Sequence, residues 1–237
     1  MKAFSKTILI VVIFSVAMAA LEGAVVVYLR ALYYPDGFTV AFKVIDENIL
    51  LVELMRELAT IVMLVTIGML AAKSFQHRLA YFLIAFAVWD IFYYLWLKAF
   101  IGWPESLLEW DILFLIPWTW LGPVLAPVIC SLTMTVFAWA ILRSSGTRTF
   151  SRVAWLLWIA GTLAILFTFL KDYGAIIIGN GFLSDYENLM RNPEFVRIAS
   201  SYVPESYDWR TFIIGELLIL GGIIKMYGPV TFWRSGK

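Results

Sequence analysis

One short stretch, LVELMRELAT at residues 51–60, combines ionisable side chains with a segment that is apolar enough to cross a bilayer. Its polar members are Glu53, Arg56, Glu57 and Thr60, at positions i, i+3, i+4 and i+7, so a helix would display them as one stripe. Ionisable groups at membrane depth are costly, and they normally face a protein interior or a hydrated cavity. This stripe is therefore the first candidate for a functional site.

Three more acids, Glu22, Asp90 and Glu216, occur inside apolar segments. From the rise of a helix, we place these acids and the two glutamates of the stripe roughly 7 to 15 Å below the outer membrane boundary. Tyr94 and Lys98 follow Asp90 at four-residue spacing, which predicts a possible access track to the outer surface. The predicted cation or proton site consists of Glu22, Glu53, Arg56, Glu57, Asp90 and Glu216.

The charge balance of this predicted chamber limits what it can do. Five carboxylates accompany one deep cation, Arg56, and we expect Arg30, Lys98 and Arg210 to lie near the rim. At least two acids then remain unpaired, so they must be protonated, hydrated, bound to a cation or paired with another subunit. The structural alternative is that Arg56 and one or two glutamates simply hold helices together.

Several classes of site are disfavoured by what the chain lacks. It has one cysteine, Cys130, and one histidine, His77, which excludes thiolate metal clusters and bis-histidine haem within this chain. No Glu-x-x-His motif is present, and His77 lies far from the acids, so we predict no catalytic residues and no cofactor. A carboxylate-bound metal that acts on a lipid is the remaining enzyme alternative. We expect Glu109 and Asp111 to be solvated.

The composition indicates a polytopic, all-α membrane protein. Of 237 residues, 62% are hydrophobic and 15% are charged, the mean hydropathy is +0.86, and the formal charge of +1 gives no support to nucleic-acid binding. We predict a single integral membrane domain over residues 1–237 with six transmembrane helices. The spans lie at about 7–29, 48–72, 79–99, 118–142, 153–171 and 210–227.

The positions of basic residues predict the orientation. Because the apolar run that follows MKAFSK continues through Val27, we expect a retained first helix and not a cleaved secretory signal. Six spans place both termini on one side, and an excess of Lys and Arg in short loops marks the cytoplasm. We therefore predict a protein of the cytoplasmic (inner) membrane with both termini inside. The basic residues on that side include Lys6, Lys73, Arg78, Arg143, Arg148, Arg152, Arg234 and Lys237.

Two connections on the outer side are too long for simple turns. Segment 101–117 contains Pro104 and Glu105, which suit a helix start, and several tryptophans, so we predict an interfacial helix, with a re-entrant hairpin as the alternative. The external loop 172–209 carries many apolar and aromatic residues. We expect it to pack as a cover over the outer helix ends, with a short helix interrupted before Pro193.

Two functional hypotheses follow from these features. The small size and the lack of clear internal repeats favour an integral membrane subunit of a larger, possibly energy-transducing, complex. The alternative is a small proton- or cation-coupled transporter or ion-pathway protein. The partners expected are the lipid bilayer and other membrane protein subunits.

Overall fold

The computed structural model describes residues 2–144 and 150–228 and shows a mostly helical chain. A long helix occupies each of the six segments predicted to span. Arg148, Arg234 and Lys237, which contributed to the predicted orientation, lie outside the described residues. The elements, in chain order, are α1 (Lys2–Tyr33), α2 (Glu47–Ala71), α3 (Phe75–Ile101), β1 (Trp110–Phe114), β2 (Trp120–Pro123), α4 (Leu125–Arg143), α5 (Arg152–Gly179), a 3-10 helix (Phe182–Arg191), α6 (Pro193–Ser201) and α7 (Trp209–Tyr227).

Four of these helices are long and apolar enough to cross a membrane: α1 from Lys6, α3, α4 and α5. The other two long helices, α2 and α7, have 25 and 19 residues and carry several charged side chains. Length and composition thus establish a helical protein that suits a membrane.

The helices begin where short polar side chains can satisfy their first backbone N–H groups. Ser74 Oγ accepts a hydrogen bond from the N–H of His77, Ser151 Oγ from that of Ala154 (3.1 Å), and Asp208 Oδ1 from that of Thr211 (3.1 Å). Such caps replace partners that the first turn of a helix lacks. They mark the starts of α3, α5 and α7.

Helix α3 is central to one half of the fold, because α1, α2 and α4 all pack against it. The contact with α1 uses the small residues Ser15, Ala19 and Gly23, of which the first two are fully buried. Small residues let helix backbones approach closely. These small residues, and the neighbouring Glu22, therefore lie on the face of α1 that is turned toward the interior.

The other half of the fold rests on the contact between α5 and α7. A Cβ atom added to Gly161 would lie 2.6 Å from the carbonyl oxygen of Gly215, and one added to Gly215 would lie 2.8 Å from that of Gly161. The backbones of α5 and α7 therefore approach each other more closely than a side chain at Gly161 or Gly215 would allow. This contact places Glu216, the next residue of α7, beside α4.

The predicted interfacial helix at 101–117 is wrong, because this region forms a turn and an antiparallel β-hairpin. Asp111 pairs with Gly122 and Ile112 with Leu121. The features taken as a helix start act differently: Glu109 Oε1 accepts hydrogen bonds from the N–H groups of Glu105 (2.8 Å) and Ser106 (3.1 Å), which closes a turn. The aromatic and branched residues that follow favour a strand.

The start of α4 also differs from the prediction of residue 118. The helix begins at Leu125, because residues 120–123 pair in the hairpin. Pro127 falls in its first turn, where a missing backbone N–H costs little.

Segment 172–209 packs against the rest of the chain, and its first part is helical where a loop was predicted. Helix α5 continues past residue 171 to Gly179, and α6 starts at Pro193 under a cap by Asn192 Oδ1. Buried Phe182 and Phe195 then pack against the end of α5 and the hairpin. This segment closes one end of the helical layers.

Candidate functional site

A cavity of about 660 Å³ lies between the two halves of the fold. Residues of α1, α2, α3, α4, α5, α7 and the hairpin line it, and most of its wall is apolar or aromatic. All six residues predicted for the cation or proton site are among the lining residues: Glu22, Glu53, Arg56, Glu57, Asp90 and Glu216. The structure therefore brings the predicted set to one space, although it does not gather the set into one cluster.

Arg56 joins α2 to α1 through two carboxylates. Its Nε donates to Glu53 Oε2 (2.8 Å), and its Nη1 donates to Glu22 Oε1. The side chains of Glu22 and Glu53 are mostly buried, and Thr60, one turn beyond Arg56, is buried too and donates to the Arg56 carbonyl oxygen (3.0 Å). This group is the helix-joining pin that the sequence offered as its structural alternative. Two of the five predicted acids, Glu22 and Glu53, are therefore paired with Arg56.

A second buried ion pair was missed by sequence reasoning. Arg30 Nη2 donates to Asp111 Oδ1 (3.1 Å), and both side chains are buried and line the cavity. The guanidinium lies over the rings of Phe38 and Trp103, which meet edge to face, with its Cζ 3.8 Å from each ring centroid. Arg30 is thus an interior cation, contrary to its expected place at the rim.

Asp111 is likewise not solvated, contrary to the expectation for this residue. Its side chain is 2% exposed, and burial raises the pKa of Asp111 to about 6, against the lowering effect of nearby Arg30. The sequence feature that could have indicated its burial is the position of this acid within the apolar run WDILF. Only strand pairing, however, turns this side chain inward.

Two further acids contact hydroxyl groups of α4 on opposite sides of that helix. Ser131 Oγ donates to Asp90 Oδ2 (2.7 Å), and Thr133 Oγ1 donates to Glu216 Oε2 (2.6 Å). Cys130, on the same helix, also lines the cavity. Asp90 and Glu216 are therefore each held by a neutral hydroxyl donor of α4.

The third acid without a cation is Glu57. Its Oε2 accepts a hydrogen bond from the backbone N–H of Leu115 (3.0 Å), just after β1, and its side chain is buried. Glu57 thus attaches α2 to the hairpin. No cationic side chain within residues 2–144 and 150–228 forms an ion pair with Glu57, Asp90 or Glu216.

The structure places the two residues of the predicted access track differently. Tyr94 is buried and lines the cavity. Lys98 is exposed, and its Nζ donates to the carbonyl oxygens of Gly102 (2.9 Å) and Pro104 (2.8 Å) at the end of α3. Tyr94 therefore belongs to the cavity, whereas Lys98 closes a helix end.

The dispersed acids limit the cations that the site could hold. Among the described residues, no three Asp, Glu, His or Cys side chains converge as ligands of one metal ion. Calcium and magnesium are surrounded by six or more oxygens, some of them from water, and all-protein sites for these ions gather several carboxylates around one point. The arrangement instead suits protons, or a cation large enough to meet carboxylates that lie apart.

Comparison with known proteins gives no assignment: no protein-family model, curated protein or solved structure matches the chain significantly. The site must therefore be interpreted from its own geometry.

Proposed function

We propose that this chain is an integral membrane protein that binds protons or a cation in the interior cavity. The observation that carries the proposal is that Glu57, Asp90 and Glu216 reach one cavity and form no ion pair with a cationic side chain of the described residues. An ionised carboxylate in an apolar interior is strongly destabilised unless a positive charge compensates it. Each of these acids therefore takes up a proton or shares a bound cation.

The outward faces of α2 and α7 support six membrane spans and not only four. On α2, Leu51, Val52, Met55 and Leu58 are exposed, whereas Glu53 and Glu57 are buried. On α7 the exposed side chains include Ile213, Ile214, Leu217 and Ile224, whereas Glu216 is buried. Both helices thus turn apolar surface outward and acids inward, which is the pattern expected in lipid.

The orientation with both termini in the cytoplasm is part of the proposal. It is tested by introducing one cysteine at a time in a Cys130→Ala background and labelling intact cells with a membrane-impermeant maleimide. We expect Glu205→Cys to be labelled from outside and Lys73→Cys to be protected until the cells are opened. The reverse pattern would show the opposite orientation.

Binding is tested in nanodiscs with a triple variant, Glu57→Gln/Asp90→Asn/Glu216→Gln. Infrared difference spectra across a pH titration report the carbonyl stretch of protonated carboxyl groups, and calorimetry reports binding of Na⁺ or K⁺. We expect the wild-type protein to show titrating buried carboxyl groups or cation binding. The triple variant should lose the part of that signal that comes from Glu57, Asp90 and Glu216, and should keep the titration of buried Asp111.

The matched control is Glu105→Gln/Asp185→Asn/Glu205→Gln, which removes three exposed acids outside the cavity wall. It should keep the wild-type signal. If the two triple variants behave alike, the cavity acids neither titrate nor bind, and the proposal is wrong. The role as a subunit of a larger complex stays a prediction, since the described contacts all lie within one chain.

A further inference from the structure

We infer that the cavity receives an amphipathic organic monocation, an ammonium or similar group attached to a hydrophobic body, with its charge near Asp90 and Glu216. This inference rests on the proposed cation site and specifies the class of its ligand. Its first support is the size of the space. The cavity of about 660 Å³ lies in the range of about 300–1,000 Å³ typical of small-molecule sites, whereas one water occupies only about 30 Å³.

The second support is an incompletely satisfied acid in the wall. Glu216 is 7% exposed and lines the cavity, and Thr133 donates to its Oε2 only. The Cys130 thiol, a weak donor, faces the same carboxylate, but the buried Oε1 atom makes no hydrogen bond of normal geometry. A buried acceptor without a good donor is costly, so Glu216 is suited to a cation that supplies N–H groups or positive charge.

The third support is the aromatic wall beside these acids. Phe86 and Trp89 meet edge to face with centroids 5.2 Å apart, and Trp89 directly precedes Asp90. Phe137 and Trp158 also line the cavity, with ring centroids 4.7 Å apart, and Phe137 follows Thr133 by one helical turn. Aromatic faces attract organic cations and also bury their hydrocarbon parts.

The spacing of the carboxylates favours an organic cation over a small inorganic ion. Asp90 and Glu216 contact α4 from two different helices, and no three potential ligands converge among the described residues. A small ion needs its oxygens close together. A bulky cation can instead approach dispersed carboxylates while its body fills the apolar remainder.

The test uses tetraphenylphosphonium as the cationic probe and triphenylphosphine oxide as a neutral aromatic probe. Binding to the full chain in nanodiscs is measured by calorimetry, with empty nanodiscs as the blank for lipid partition. We expect the cation to bind the wild-type protein at least about tenfold more tightly than the neutral probe, and to lose affinity as the pH falls and protons compete. This comparison requires no variant.

Variants then locate the charge site. Asp90→Asn/Glu216→Gln should weaken tetraphenylphosphonium binding about tenfold or more, whereas Glu205→Gln, an exposed acid outside the cavity wall, should not. If both probes bind equally, or the double variant binds the cation normally, the inference is wrong. If the cation does not bind while the cavity carboxyl groups titrate, the inference fails and the proposed function stands. Loss of both signals would overturn both.

Discussion

Replacing Arg56 with Met tests whether the ionised cluster between α1 and α2 holds the fold together. Met keeps the unbranched apolar stem and a similar helix propensity, but it removes the charge and five N–H donors. Glu22 then loses the donor Nη1, and Glu53 loses the Nε donor at 2.8 Å. Two mostly buried carboxylates are left next to each other without a counter-charge.

The size of the effect follows from burial. Removal of one partner from a buried pair typically costs about 3–5 kcal/mol, whereas an exposed pair contributes about 0–1 kcal/mol. The side chains of Glu22 and Glu53 are 13% and 7% exposed, but that of Arg56 is 22% exposed, so solvent screens part of the interaction. We expect Arg56→Met to lower the free energy of unfolding by about 2–4 kcal/mol.

Reversible unfolding in bicelles, measured by steric trapping, gives this free energy directly. The matched control is Arg191→Met, which breaks an ion pair of the same chemistry, to Glu47, whose partners are 68% and 53% exposed. Arg191→Met should have little effect on the free energy of unfolding. Adding Glu22→Gln to Arg56→Met should recover part of the loss, because it removes one stranded charge.

An Arg56→Met protein as stable as the Arg191→Met control would refute the reasoning. It would mean that Glu22 and Glu53 are already protonated or well hydrated in the native protein. If Arg56→Met/Glu22→Gln is less stable than Arg56→Met alone, the reasoning is also contradicted, because repulsion between the stranded carboxylates would not be the cause of the lost stability.

Three further predictions address packing, titration and capping. Gly161→Ala should cost about 1–3 kcal/mol of stability, because its Cβ would meet α7 at 2.6 Å, whereas Gly179→Ala, with no atom within 4 Å of the added Cβ, should be tolerated in the same unfolding assay. The pKa of Asp111 rises from 3.8 when unfolded to about 6 when folded, so its stabilising contribution is complete below about pH 4 and is lost as the pH rises through 6. Unfolding measured over this range should therefore show the wild type losing stability relative to Asp111→Asn; a constant difference would contradict the buried environment. Asn192→Ala removes the cap of α6, so the free energy of local opening at the Glu194 and Phe195 amides should fall by about 1 kcal/mol. Hydrogen exchange at these two amides should accelerate accordingly, and unchanged exchange would exclude this capping role.

The connection between α3 and α4 shows where sequence reasoning failed. Pro104 and Glu105 resemble a helix start, but backbone pairing with residues 120–123 outweighs that local signal. The pairing partners lie just beyond residue 117, outside the segment for which the interfacial helix was predicted, and strand formation depends on that pairing more than on local propensity. The same error concealed Asp111, because a strand turns alternate side chains to opposite faces and a helix does not.

The sequence by itself determined the helices and the inward faces of their acids. Apolar periodicity and length located six long helices, and the spacing of Glu53, Arg56 and Glu57 put them on one face, because 3.6 residues per turn is a local property. Only the tertiary structure decided which acid meets which partner. Arg56 binds carboxylates of two helices, Arg30 pairs with Asp111 across 81 positions, and the remaining acids receive neutral donors, because those pairings depend on how α3 and α4 bring distant segments together.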